Sequence, residues 1–599
     1  MLTSPIAADP GSACVLREFV RSAVTNHPQP PRAPPIVREP RHADSKAPPP
    51  SGTGMATDSI EVPRRAASPG GYAAGVIAAR RPSADSGVRL AELMAAMSLA
   101  TDLGMGQPVE TALASCVVVI RLGDALGLDA TTLRTSYYYA LLRYIGCNAH
   151  TYAMAALFGD ELALRRDFAA VDPGQIPEVL ELAARYLRQA NASEPSDRLA
   201  AIVANALDEL PGFMHESFAG HCEVAQRLAV RMGLEGPLIA CLGQIYERWD
   251  GRGLPRGLKG DDVTPAVLLV GLAQDAVIWN RIGGPDAAAT TIRNRGGGAH
   301  HPWMAERFCE QAETILADLD LAARWEAVLD MEPGGHRPLS DAEFERCCEA
   351  IADFADIKSP YTLGHSPGVA ALAAGAGQRC GLPGSDNKAL RQAGLLHDIG
   401  RVGVSAGIWG KDSALSERDR EQIRLHPYYT ERVLARPEPL RRLGELASRH
   451  HERMDGSGYH RAAAGASLSL AARILAAADV YHAMTESRPH RPALSADHAA
   501  DELLREARAG RLDGDAVGAV LAEAGHRVPR ARRNRPAGLS EREVEVLRLL
   551  ARGLSNRDMA ERLYLSQDTV KHHVQHAYDK IGLSSRAGAT LFAIEHALL

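Results

Sequence analysis

The sequence predicts an all-α protein: two tandem copies of one helical domain, followed by a small four-helix domain. Three observations predict it. Hydrophobic residues make up 46% of the 599 residues and aromatics only 5%, and Ala and Leu outnumber β-branched runs, which favours helix. Two blocks of sequence recur in order along the chain. The C-terminal stretch carries three successive helix-start signals, at Ser540, Ser555 and Ser566.

A chain this long divides into roughly three to five domains, each able to bury a core. Reading along it, we find no apolar run long enough to span a bilayer and no charged, apolar, cleavable N-terminal pattern. Nine cysteines are scattered without a CxxC pair, and Cys347 and Cys348 are vicinal. That usage fits a reducing compartment, so a cytoplasmic location and no membrane partner are expected. The net charge of −6 is uneven, because residues 526–599 hold 13 Lys/Arg against 8 Asp/Glu. A basic segment on an acidic body suits either a nucleic-acid-binding module or a solvated surface.

Residues 1–84 are rich in Pro, Ala, Arg and Ser, a composition expected to stay disordered because it buries too little apolar surface to offset chain entropy. Met55 is a second candidate start. Residues 85–310 form the first helical copy, 311–345 a linker around Asp330-Met-Glu-Pro-Gly-Gly-His-Arg-Pro338, and 346–525 the second copy. The copies align in two registers: Leu141-Leu-Arg-Tyr-Ile-Gly146 over Leu395-Leu-His-Asp-Ile-Gly400, and Glu247-Arg-Trp-Asp-Gly-Arg-Gly253 over Glu452-Arg-Met-Asp-Gly-Ser-Gly458. Between these blocks the first copy carries an insertion, about 147 to 215. A basic, Pro-broken linker spans 526–537, and 538–599 is the four-helix domain.

In the second copy, His397 and Asp398 sit among Leu395, Leu396 and Ile399. Burying an imidazole and a carboxylate unpaired costs a few kcal/mol each, roughly, and a metal ion satisfies both. The full set of candidates is His365, His397, Asp398, His426, His450, His451 and Asp479. At the matching positions the first copy has Thr111, Arg143, Tyr144, His221, Ile245, Tyr246 and Gln274, so six of seven ligand types are gone. The fold tolerates their loss, as it would for a site's residues. The first copy is therefore expected to fold without binding metal, its retained Glu247–Gly253 motif keeping a turn.

The His397-Asp398 pair, His426-Pro427, His450-His-Glu-Arg-Met-Asp-Gly-Ser-Gly-Tyr459 and Ala478-Asp479-Val-Tyr481 together resemble the HD-GYP branch of the HD phosphohydrolases over about 350 to 515. The resemblance implies a helical domain with a two- or three-metal site, of iron, manganese or a similar divalent ion, that hydrolyses cyclic di-GMP. It also implies that Asp398 bridges two metals, with His365, His397 and Asp479 on one and His426, His450 and His451 on the other. Tyr361 stands where three-metal members carry a carboxylate, so two metals are expected. Arg401, with Asp398 as the catalytic pair, replaces the family's lysine, and His460 replaces the proline of Gly-Tyr-Pro. Arg401 keeps a positive charge for phosphate yet cannot readily release a proton. Arg401, Asp455, Gly458 and Tyr459 are the expected substrate-binding residues.

The C-terminal segment, Leu539 through Arg586, resembles the LuxR-type helix-turn-helix. Val570, Val574, Ala577 and Ile581 form one stripe at helical spacing. Lys571, His572 and Gln575 lie opposite, placed to enter a major groove. By family pattern those three read base edges, whereas Asn556, Thr569, Lys580 and Arg586 hold phosphates or the fold. The resemblance further implies binding to double-stranded DNA as a homodimer. The combined expectation is a DNA-binding regulator whose second copy is a metal-dependent phosphodiesterase acting on cyclic di-GMP or a related phosphoester. The alternative is a regulator whose second copy senses metal or nucleotide without turnover.

Overall fold

The computed structural model describes residues 87–527, 536–596 and 598. The expected tail, 1–84, and residues 528–535 of the basic linker lie outside the described residues. Among the described residues the chain is helical, with isolated β-bridges and no strand.

The repeat is visible in the helix bounds. Thr111–Ala125 and Ala130–Leu142 have counterparts of equal length in His365–Arg379 and Gly384–Leu396. In the second register, Pro265–Arg295 begins where Leu470–Thr485 does. Two buried carboxylates recur with their work unchanged. Asp102 accepts from Ala112 N at 3.3 Å, and Asp356 from Ser366 N at 2.9 Å. Glu247 accepts from Arg256 N and Leu258 N, Glu452 from Arg461 N and Ala463 N, all at 2.8 Å. A buried carboxylate needs such donors, and these four keep helix starts and loops in place in both copies. The frame is therefore conserved between the copies where the candidate ligands are not.

The insertion folds as helices Thr151–Phe158, Glu161–Phe168 and Ile176–Ala190, and the start of Ser196–Arg231. It reaches across to the second copy. Glu161, fully buried, accepts from Ser405 Oγ at 2.6 Å, Ala406 N at 2.8 Å and Lys358 Nζ at 3.3 Å. Lys358 also donates to Val402 O at 3.0 Å, and Asn148 Nδ2 to Phe354 O at 3.0 Å. Apolar residues of both copies belong to one connected core. Helix Leu90–Gly104 packs on the short turn Ile399–Gly403, just after Asp398.

Contrary to the sequence reading, Pro265–Arg295 is long and apolar enough to cross a membrane. It is a core helix instead: 61% of its most apolar window is buried, against Thr111–Ala125 and Pro302–Leu316. Its helical geometry also breaks at Gly283 and Gly284.

The C-terminal helices Glu541–Ala551, Asn556–Leu563, Gln567–Ile581 and Arg586–Glu595 enclose a core of their own around Val546, Leu547, Met559, Val570 and Ala577. Ser540 with Glu543, and Ser555 with Asp558, form capping boxes, and Ser566 accepts from Thr569 N. These are the starts read from the sequence.

Candidate metal centre and nucleic-acid interface

The structure brings all seven candidate ligands of the second copy together, from five segments of chain. His365 opens the helix His365–Arg379, and His397 and Asp398 follow Gly384–Leu396 directly. His426 opens His426–Leu434, His450 and His451 follow Glu438–Ala447, and Asp479 lies within Leu470–Thr485. Helix ends converge here because their unsatisfied carbonyls can hold imidazoles in place. Nδ1 of His397, His426 and His450 donates to Gly394 O, Ile423 O and Ala447 O, at 2.7, 2.6 and 2.7 Å. A carbonyl only accepts, so each neutral ring carries its lone pair on Nε2, aimed inward.

Asp398 sits between two sets of rings. Its Oδ2 is 3.3 Å from His397 Nε2 and 3.7 Å from His365 Nε2, and its Oδ1 is 3.6 Å from both His426 Nε2 and His450 Nε2. Asp479 lies 3.2 Å from His365 Nε2 and 3.7 Å from His451 Nδ1. Burial pulls His426 down to about 4, with the charge of Arg401 adding to it, and His450 to about 3, with the neighbouring His397 and His426 rings adding to it. Burial pushes Asp398 upward, but Arg401 and the imidazoles outweigh it and hold its carboxyl well below the usual range.

These groups do not satisfy one another. The Nε2 atoms of His426 and His450 face each other at 3.0 Å. Both rings are neutral and both Nδ1 protons are spent on backbone, so this is lone pair against lone pair. His397 Nε2 is buried without a hydrogen-bond partner, and Asp398 Oδ2 is met by the ion pair with Arg401 Nη1 at 3.0 Å. A cation is the species that relieves both defects, so the donor set, neutral nitrogen plus carboxylate oxygen, fits divalent transition metals. His426, His450 and His451 form one grouping near enough to share an ion, and His365, His397 and Asp479 another.

Four further neighbours stand outside the expected set. His482 and Glu486 stand 3.2 and 2.9 Å from His365 Nδ1, and fix that ring from behind. His482 follows Asp479 at a helical spacing of three, a signal the sequence carried, whereas Glu486 stands just past the end of the helix Leu470–Thr485. Trp409 stacks on Arg401, with the guanidinium carbon 4.4 Å from the ring centroid. Arg488 also lies close: burial, then the charge of Arg401, lowers its affinity for its proton. Arg401 pairs with Asp398 at 3.0 Å and Arg488 with Glu486 at 2.8 Å, so both guanidiniums are fixed beside the cluster.

The other expected substrate residues are placed as follows. Tyr459 stacks on His451, ring centroids 4.7 Å apart. Asp455 is exposed and accepts from Ser457 N and Oγ, at 3.0 and 2.6 Å, within its own turn. At Gly458 a Cβ would meet Arg453 N at 2.5 Å, so the turn admits only glycine there. His460 Nε2 is 3.0 Å from Glu431, anchoring the loop to the helix His426–Leu434.

In the C-terminal domain, Lys571, His572 and Gln575 are exposed on Gln567–Ile581, opposite buried Val570 and Ala577. Gln575 donates to Asp579 at 2.9 Å. Lys580 donates to Glu543 at 2.7 Å and Arg586 to Leu554 O at 2.7 Å, so both hold the domain together. Asn556 and Thr569, at the starts of their helices, are partly buried.

A family model for the HD domain matches residues 349–516, and one for bacterial regulatory proteins, luxR family, matches 537–593. The chain is 29% identical over 416 residues to 3'3'-cGAMP-specific phosphodiesterase 3 of Vibrio cholerae, covering 68% of this chain and 89% of that protein. To cyclic di-GMP phosphodiesterase PA4108 of Pseudomonas aeruginosa it is 36% identical over 140 residues, 23% of this chain and 34% of that one. A crystal structure of a cyclic GMP-AMP specific phosphodiesterase of V. cholerae aligns with a TM-score of 0.51 and 25% identity, covering 74% of this chain and 99% of that chain. The chain thus carries an HD domain over 349–516 and, after it, a luxR-family regulatory domain over 537–593.

Proposed function

We propose that the second copy is a metal-dependent phosphodiesterase for cyclic dinucleotides and that the C-terminal domain binds DNA. The observation that carries the first half is the facing pair of lone pairs, His426 Nε2 and His450 Nε2, beside the unpartnered His397 Nε2 and the buried Asp398 carboxylate. His365, His397 and Asp479 would hold one ion, His426, His450 and His451 a second, and Asp398 would serve both. Such ions supply Lewis-acid stabilisation of charge on a phosphoryl group. Arg401 and Arg488 bind the phosphate and orient it, and Trp409 holds Arg401 in position. Tyr459, stacked on His451, limits water and offers a ring face to a base. The likeness along most of its length to a 3'3'-cGAMP-specific enzyme makes 3'3'-cGAMP the first substrate to try, and cyclic di-GMP the second.

Lys571, His572 and Gln575 would read base edges as pairs of subunits bind inverted half-sites. A DNA-binding domain beside a cyclic dinucleotide site supports a cytoplasmic location. The second reading, a sensor that binds without turnover, is favoured by Arg401, whose guanidinium keeps its proton.

Turnover of 3'3'-cGAMP, cyclic di-GMP and a bis-aryl phosphodiester by the purified chain tests the reading, with Asp398→Ala as control. Turnover of a cyclic dinucleotide that Asp398→Ala abolishes is expected. Dinucleotide binding without turnover selects the sensor, and neither binding nor turnover overturns both.

A further inference from the structure

The first copy has lost the ligand set, yet the space it occupied is not filled. Of the seven register positions, Arg143, Tyr144, His221, Ile245, Tyr246 and Gln274 line a single cavity of about 240 Å³. The seventh, Thr111, turns away to bond Pro108 O at 2.5 Å. The insertion that interrupts the first copy roofs this cavity, with Phe158, Phe168 and Phe213 among its lining. Phe218 and Tyr246 stack at 4.0 Å between centroids and 13° between planes, giving the cavity one flat aromatic wall.

The lining also carries a cation short of hydrogen-bond partners. Arg143, in the register of His397, has Nε and Nη1 buried without a hydrogen-bond partner, and its Nη2 reaches Ile245 O at 3.3 Å. The carboxylate of Asp275 is taken up by Arg295 at 2.5 Å and His300 at 3.0 Å. Five arginines and three carboxylates stand in the lining, so the cavity is positive. His221 adds a buried Nε2 without a partner, beside its 2.9 Å contact from Nδ1 to Tyr246. A guanidinium withheld from water without a counter-ion is costly, and an anion in the cavity removes that cost.

We propose that this cavity binds, without hydrolysing it, a small organic anion whose phosphate or carboxylate sits on Arg143 and whose flat ring extends the Phe218–Tyr246 stack. The fixed cation takes the place that metal ions hold in the second copy, which converts a hydrolytic pocket into a binding pocket. The site belongs to the first copy alone and stands or falls separately from catalysis in the second.

Calorimetric titration of the full chain with 5'-GMP, 5'-AMP and indole-3-carboxylate tests it, on the wild type, Arg143→Met and Asp398→Ala. At least one probe is expected to bind one per chain, tenfold or more weaker in Arg143→Met and unchanged in Asp398→Ala. Binding of the nucleotides alone identifies phosphate as the anion, and of the indole acid alone, carboxylate. If Arg143→Met does not fold, Phe218→Leu, which removes the flat wall and keeps apolar volume, is expected to weaken binding in its place. No binding of any probe overturns the proposal. So does binding that survives the first-copy variant, or that disappears in Asp398→Ala.

Discussion

Arg401 is held between two partners: its guanidinium carbon lies 4.4 Å from the centre of the Trp409 ring, and its Nη1 lies 3.0 Å from Asp398 Oδ2. The indole leaves the planar cation one orientation, edge toward the carboxylate and the site. Such contacts contribute about 0.5–2 kcal/mol. Trp409→Ala is expected to lower kcat for a cyclic dinucleotide by about tenfold, roughly 1.4 kcal/mol, with metal content unchanged. Trp409→Phe should recover most of the loss. Parallel kinetics and elemental analysis check this, and metal lost together with turnover would show that Trp409 supports the cluster itself.

The buried pair of Glu161 and Lys358 joins the insertion of the first copy to the second. Their side chains are 0% and 3% exposed, and Glu161 satisfies three donors. Removing one partner leaves a buried charge alone, which costs about 3–5 kcal/mol. Glu161→Ala should therefore lower Tm sharply in thermal melts of the full chain. Glu161→Ala with Lys358→Met should recover part of that loss, because the orphaned charge goes too.

Asp275 gives the fold an acid limit. Burial works to raise its carboxyl, but the His300 and Arg295 contacts outweigh it and bring it down to about 2 from the ordinary 3.8. Because the folded value is the lower one, the stabilisation is complete above pH 4 or so and is lost as pH falls toward about 2. The shift corresponds to about 2 kcal/mol. Melting temperatures between pH 5 and pH 2.5 should fall less steeply for Asp275→Asn than for the wild type, from a lower starting point.

In the C-terminal domain, exposed Lys571 and internally paired Lys580 should behave differently. Lys571→Ala should weaken binding to a specific DNA site by about 1–3 kcal/mol if it contacts a base edge. Lys580→Ala breaks the 2.7 Å bond to Glu543, the capping partner of Ser540. It should lower the melting temperature of the domain, with little change in the salt dependence of binding. Fluorescence anisotropy across a salt series, together with melts, separates the two.

What the sequence made legible follows from local physics. The capping residues Ser540, Ser555 and Ser566 announce helices because a side-chain oxygen beside free backbone N–H groups acts within three residues. Equal helix bounds in the two copies, such as Thr111–Ala125 and His365–Arg379, follow from a repeat readable in the residues themselves. His482 was legible, one helical turn past Asp479, whereas Glu486 lies beyond the helix end, where periodicity gives no signal. Trp409 was not legible, since its partner Arg401 lies across an aperiodic turn. The cavity of the first copy was beyond reach too: its roof comes from an insertion whose fold-back depends on contacts such as Glu161 with Ser405, far apart in the chain. Pro265–Arg295 shows the reverse error, where composition alone cannot separate a core helix from a spanning one.

The lone-pair contact between His426 and His450, the unpartnered His397 Nε2 and the Asp398 carboxylate between them are expected to hold metal. The most direct test is elemental analysis of the full chain after loading with Fe(II) or Mn(II) and removal of free ion. Two divalent ions per chain are expected, with both lost in Asp398→Ala and one lost in His450→Ala. A loaded protein that retains no ion, or retains the same number in Asp398→Ala, would contradict the account.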